Sequence, residues 1–186
     1  MAVLTGHEQI RGAKSIQIAQ LFDAVDSLCA GERVLLTGTV YTARDAAHKR
    51  LTALLDASQP LPFPLEEAVL YYAGPTPAPK GLPIGSCGPT TSCRMDPYAP
   101  RLYANGVRAT IGKGERSADV AQTIRQYRGV YFCALGGAGA LAAQHITSCD
   151  VVAFEELGCE SVKRLTFCEF PVVVGIDCHG GNIFNR

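Results

Sequence analysis

Along the chain the apolar positions change period several times, and each change predicts a new element. Residues 15–19, SIQIA, alternate as a short strand would. Leu21, Val25 and Leu28 then fall at helical spacing within 20–28, with Gly31 as a stop signal. Residues 33–41, RVLLTGTVY, read as a buried strand. Residues 42–56 follow as a helix, with Thr42 as N-cap and Ala43, Ala47, Leu51, Leu54 and Leu55 as its apolar stripe. A proline-bearing loop over 57–66 leads to a strand at 68–74 and a rigid turn, PTPAPKG. Residues 82–88 predict a strand entering a loop, and 89–95 a helix-like segment shaped by Pro97 and Pro100. Strands at 107–112 and 130–136 flank a helix that Gly129 closes, and a small-residue helix follows a glycine-rich turn at 136–140. DVVAFEELG, VKRLTFCEF and PVVVGIDC read as three more strands with no helix between them. Strands alternating with helices predict an α/β fold with parallel pairing, and the last three strands add an antiparallel portion, making a mixed sheet. Residues 1–14 read as a polar arm and 15–186 as a single domain.

Composition narrows the function classes. Lysine plus arginine total 17, as do aspartate plus glutamate. That neutral balance argues against a general nucleic-acid binder, while leaving room for a local anion site. No apolar run approaches the roughly 18 residues of a membrane span, and the first residues lack a signal-peptide core, so a cytoplasmic location is expected. Eight cysteines occur without a C-x-x-C pair, most of them inside apolar runs. They are expected to be buried, reduced thiols, neither disulfide-bonded nor holding a metal.

Three segments crowd polar residues where a strand ends, the place where ligands gather on α/β sheets. In the first, Arg44 and Asp45 open a helix, with His48, Lys49 and Arg50 one turn on. An arginine is unfavourable at the positive end of a helix dipole. It implies either a bound carboxylate or simply a solvated face with Asp45 as local partner. In the second, Gly88-Pro89 precedes Thr90, Thr91, Ser92 and Arg94. Three hydroxyls and an arginine suit a carboxylate, and on a helical turn Thr90 and Arg94 would share a face; the plainer reading is an N-cap and a surface arginine. In the third, Lys113 lies between glycines at a strand end, free either to reach a ligand or to be solvated in a turn. The GGAGA cluster, 136–140, is not a phosphate loop, since no G-K-[ST] follows. DCHGGN, 177–182, sets an aspartate and a histidine after the last strand, yet no G-x-S-x-G elbow supports a triad.

Taken together, LLTGTVYTARDAAHKRL, GSCGPTTSCRMDPYAP, ATIGKG and IDCHGGN resemble the β subunit, or C-terminal domain, of class I fumarate hydratases and the β subunit of L-tartrate dehydratase. The resemblance covers roughly 15–182. It implies a swivelling β/β/α domain and a [4Fe–4S] cluster held by a partner α subunit, whose open iron acts as a Lewis acid. It implies Thr90 as catalytic base, helped by an aspartate of the α half, and Arg44, Arg94 and Lys113 as the clamp on a C4 dicarboxylate. Metal ligands are expected on the partner and none on this chain. Cys93 and Ala43 depart from residues common at those positions. Fumarate/malate is the expected substrate pair, with tartrate as the alternative. Two rival classes remain: a dicarboxylate-binding module without catalysis, and a self-sufficient cysteine enzyme.

Overall fold

The structure, a computed structural model, describes residues 12–185. Seven strands are present: β1 (Lys14–Gln17), β2 (Arg33–Thr42), β3 (Val69–Tyr71), β4 (Ala109–Gly112), β5 (Val130–Cys133), β6 (Ile146–Ala153) and β7 (Val162–Ile176). They pair in the order β1-β2-β3-β4-β5-β7-β6, and β2 also pairs with β7. That extra pairing closes β2, β3, β4, β5 and β7 into a ring. β1 through β5 run parallel, whereas β7 is antiparallel to β2, β5 and β6. The mixed α/β expectation is met.

The alternation of side chains explains the two cores. Val34, Leu36, Val40, Tyr71, Ile111, Phe132, Leu165, Phe167, Phe170 and Val174 pack together inside the ring. Phe167 stacks on Phe170 at 4.0 Å, and Tyr71 meets both edge-on. Each such pair contributes on the order of 0.5–1.5 kcal/mol beyond simple burial. The opposite faces of the same strands carry Leu70, Tyr72, Tyr131 and Ile176. These are covered by α2 (Asp45–Asp56), α3 (Ala99–Ala104) and α4 (Ala118–Gln126) through Ala47, Leu51, Leu102, Tyr103, Val120 and Ile124. The remaining α-helices, α1 (Leu21–Ala24) and α5 (Gly139–Ala143), are single turns.

Several expectations are corrected. Of the predicted arm, residues 1–11 lie outside the described residues, and Lys14 already opens β1. The helix over 20–28 is one α-turn flanked by short 3-10 turns. Thr42 is no helix cap: it ends β2, donating its hydroxyl to the Ser161 carbonyl and accepting from the Lys163 N–H. Residues 82–88 form a loop, in which Pro83 offers no ladder donor. Only an isolated bridge between Ala73 and Pro89 remains there. The sequence reads a strand break near Pro171, but β7 runs through it. Between the Leu36–Phe170 and Gly38–Phe167 pairs, β7 spends two residues against one of β2. The bulge is turned by Glu169 at φ +50°, and Pro171 pairs in register with Leu35 beyond it. All eight cysteines are free in this structure. They are not uniformly buried, however, since Cys29, Cys93, Cys159 and Cys168 are exposed. No helix among the described residues is long and apolar enough to cross a membrane.

Candidate functional site

The four parallel strands β2 to β5 deliver their carboxyl ends to one edge of the ring; Arg44 and Lys113 follow β2 and β4 directly, and the loop bearing Thr90 and Arg94 returns to that edge from beyond β3. Arg44 leaves β2 and occupies the N-cap position of α2. It has no side-chain oxygen with which to cap the helix. The first-turn N–H of Ala46 is instead satisfied across the chain, donating to Glu160 Oε2 at 2.9 Å. The other oxygen of Glu160 stands 3.5 Å from the Arg44 guanidinium. Beneath that guanidinium lies Gly74, just past β3. A Cβ there would come within 2.9 Å of Arg44 Nη1 and would push the guanidinium aside. Asp45 accepts from Arg94 Nε at 2.9 Å and stands 3.8 Å from Arg44 Nη2. The two arginines, fifty residues apart in the chain, therefore share one carboxylate.

The Thr90 loop lies as an extended strip between the ends of β3 and β4. Thr90 N–H donates to the Tyr72 carbonyl at 2.7 Å, Lys113 N–H donates to the Thr90 carbonyl at 3.2 Å, and Ser92 N–H donates to the Lys113 carbonyl at 2.9 Å. Thr90 and Lys113 are thus backbone neighbours. The 3-10 turn carrying Arg94 begins only at Ser92, so Thr90 and Arg94 do not share a helical face as the sequence suggests. Close contact needs Gly112, because a Cβ there would lie 2.0 Å from Ser92 Oγ. Lys113 runs past Gly136, whose added Cβ would sit 3.3 Å from its Cδ. Neither the Lys113 ammonium nor the Thr90 hydroxyl has a hydrogen-bonding or ion-pair partner among the described residues.

A buried polar layer that the sequence does not signal holds these loops together. Ser92 and Gly114 meet at Tyr131, whose hydroxyl donates to the Gly114 carbonyl at 2.7 Å and lies 2.9 Å from Ser92 Oγ. Arg116, its side chain fully buried, donates to Asp96 at 2.7 Å, Thr110 at 3.1 Å and Tyr72 at 3.3 Å. Burial opposes its charge, but Tyr72, Tyr103 and Asp96 outweigh that and hold the guanidinium protonated. The other Asp96 oxygen accepts from the Ser117 N–H at 2.7 Å. The Arg116–Asp96 pair thus ties the loop bearing Arg94 to the turn bearing Lys113. Glu160 escapes sequence reading for another reason: more than a hundred residues separate it from Arg44.

His48 is buried inside α2, its Nδ1 2.9 Å from the Arg44 carbonyl, to which it must therefore donate. Burial lowers its pKa from 6.5 to about 4. The unfolded chain takes up this proton at a higher pH than the folded one. The stability due to neutral His48 is therefore complete above about pH 6.5 and is lost as pH falls towards 4. A shift of that size corresponds to about 3 kcal/mol. Denaturant unfolding between pH 7 and 4 should show a steeper loss for the wild type than for His48→Gln; parallel curves would contradict it.

The other candidate segments are structural. Gly139 packs on the Gly88 turn, where a Cβ would lie 2.9 Å from Gly88 N, so GGAGA serves loop packing. Asp177 is pulled up by burial but held below its usual range by N–H groups of Ala30, Gly181 and His179. His179 Nε2 is engaged with the Asp26 carbonyl at 2.9 Å, so its proton sits there and cannot leave a base facing Cys178 at 3.7 Å. Burial pushes the Cys178 thiol up, and it pushes that of Cys87 up to about 12. These are poor nucleophiles. Among the described residues no cluster of three or more cysteine, histidine or carboxylate side chains could hold a metal.

Comparison with known proteins places the chain in a family. The family model described as Fumarase C-terminus matches residues 4–186. Fumarate hydratase 1 of Leishmania major is 39% identical over 156 residues, covering 83% of this chain and 28% of that protein. The anaerobic class I fumarate hydratase of Escherichia coli K12 is 38% identical over the same shares. A Methanocaldococcus jannaschii protein provisionally named an L(+)-tartrate dehydratase β subunit is 37% identical over 168 residues, covering 87% of this chain and 86% of its own length. The chain thus spans under a third of the fumarate hydratases it matches. The enzymes named among these relatives are hydro-lyases. The matched span leads to one statement of identity: this chain belongs to the Fumarase C-terminus family.

Proposed function

We propose that this chain is the β subunit of an iron–sulfur-dependent hydro-lyase that hydrates fumarate reversibly to L-malate. The carrying observation is that Arg44, Arg94, Lys113 and Thr90 follow three parallel strands to one sheet edge and are joined there by Asp45 and by the Thr90–Lys113 backbone bond. Two arginines and a lysine suit a dianion, each guanidinium offering a planar pair of donors. Thr90 is the base that removes a proton beside the departing hydroxyl. An alcohol is a weak base, so the reading requires a carboxylate from outside this chain to prepare it. The donor set here does not fit a cluster, so the [4Fe–4S] cofactor belongs to a partner α subunit, and we place the complex in the cytoplasm. The short M. jannaschii relative, matched over most of its length, supports a separate β chain and keeps tartrate as the second reading.

Co-expression with the α subunit, followed by anaerobic assays on fumarate, L-malate and L-tartrate, tests the assignment. Turnover of fumarate and malate is expected, and exclusive tartrate dehydration would transfer the assignment to the second reading. In the same complex Arg94→Lys should lose nearly as much kcat/KM as Arg94→Ala, about 2–4 kcal/mol, because an ammonium cannot reproduce a bidentate fork. Near-normal kcat/KM in Arg94→Lys would rule out the fork.

A further inference from the structure

Among the described residues, the buried side-chain polar atoms without a hydrogen-bond partner are Arg44 Nε, Asp45 Oδ2, His48 Nε2 and Arg108 Nε. Three of the four lie together at the start of α2. Such atoms are costly to leave unpaired, and their concentration marks a place completed by something else. Asp45 is the centre of this group. Its Oδ1 takes the Nε–H of Arg94, a side chain half exposed with no other hydrogen bond or ion pair. Its Oδ2 stands 3.8 Å from Arg44 Nη2, too far for a hydrogen bond but close enough to orient the charge.

We infer that Asp45 is a positioning residue that aims both arginines of the clamp, a step that rests on the dicarboxylate reading above. Because Asp45 engages Arg94 through Nε, the two terminal nitrogens of that guanidinium remain free as a bidentate pair. Arg44 meets Asp45 and Glu160 through Nη2 and lies on Gly74 through Nη1, which leaves its Nε without an acceptor. Arg94 therefore keeps its terminal pair open while the planes of both cations are fixed. A substrate with two carboxylates finds two oriented guanidinium groups, at a lower ordering cost than two freely rotating arginines would impose.

The sign of one substitution separates this role from the obvious competitor. If Asp45 were only a counter-charge within 4 Å of both guanidinium groups, Asp45→Asn would tighten the binding of any dianion. As a positioning residue its loss weakens dicarboxylate binding even though the site becomes more positive. The effect on a monocarboxylate, which needs one fork, is small. A generally damaged fold would weaken both ligands alike.

The test uses the full isotopically labelled chain, titrated with fumarate and with acrylate, which keeps the alkene and one carboxylate. The wild type is expected to prefer fumarate. Asp45→Asn and Asp45→Ala should cut the fumarate-to-acrylate preference on the order of tenfold, with thermal midpoint and amide dispersion retained. In parallel, the Arg94 Nε–H signal, protected in the wild type, should exchange faster in Asp45→Ala. An unchanged or raised fumarate preference in both variants, or an Arg94 Nε–H equally protected without the carboxylate, overturns the inference. A wild type without preference for fumarate counts against the dicarboxylate reading itself; the Arg94 signal then still decides what Asp45 does.

Discussion

Thr90→Val should lower kcat in the assembled enzyme by at least about a hundredfold while leaving substrate affinity within a few-fold. Valine keeps the branched shape and removes only the hydroxyl. Arg44, Arg94 and Lys113 still hold the carboxylates, so the loss falls on the proton transfer. Positioned acid–base groups contribute about 10²–10⁴-fold. Thr90→Ser retains the hydroxyl and should keep measurable turnover. Thr91 is the internal control. It is exposed and extended, φ −64° and ψ 121°, and it pairs with Lys113 on the strip. Successive side chains of an extended strip point to opposite sides, so Thr91→Val should change little. Single-turnover rates and a dissociation constant for each variant distinguish the roles. Normal turnover with weak binding in Thr90→Val would reduce Thr90 to a ligand contact.

Arg116→Leu should destabilise the chain by about 3–5 kcal/mol, the range for removing one partner of a buried ion pair. The side chain of Arg116 is fully buried and that of Asp96 nearly so. Leucine would leave the Asp96 carboxylate with only the Ser117 N–H and would leave Tyr72 and Thr110 without their donor. Urea unfolding monitored by circular dichroism reads the loss. Stability within 1 kcal/mol of wild type would show that these groups find other partners and that the pair does not hold the Arg94 and Lys113 loops together.

The parts of this molecule legible from sequence are those governed by local periodicity. β2, α2, β4, α4 and β5 lie close to where alternation and helical spacing place them; Arg44 and Lys113 stand out because they follow strand ends directly, and Thr90 because it opens a hydroxyl-rich run after Gly88-Pro89. What was not legible depends on distant partners. Thr42 looks like a helix cap until Ser161 and Lys163 arrive from β7 to engage its hydroxyl. Pro171 looks like a strand end, yet β7 continues past a bulge opposite Thr37 and Pro171 pairs with Leu35. Glu160 caps a helix that begins 115 residues earlier, and Arg116 becomes intelligible only once Asp96, Tyr72 and Thr110 surround it. The cysteines mislead in the same way. Cys168 follows Phe167 in an apolar run, yet it lies exposed at the bulge of β7.

The central claim is that this chain supplies the clamp and the base while the cluster resides on a partner. Titrating the purified chain into a fixed amount of cluster-loaded α subunit, under anaerobic conditions with fumarate present, tests it most directly. Hydration should be absent from either component alone and should rise with added chain to a plateau at equal stoichiometry. Hydratase activity from this chain alone, or from the α subunit at full rate without it, would contradict the account.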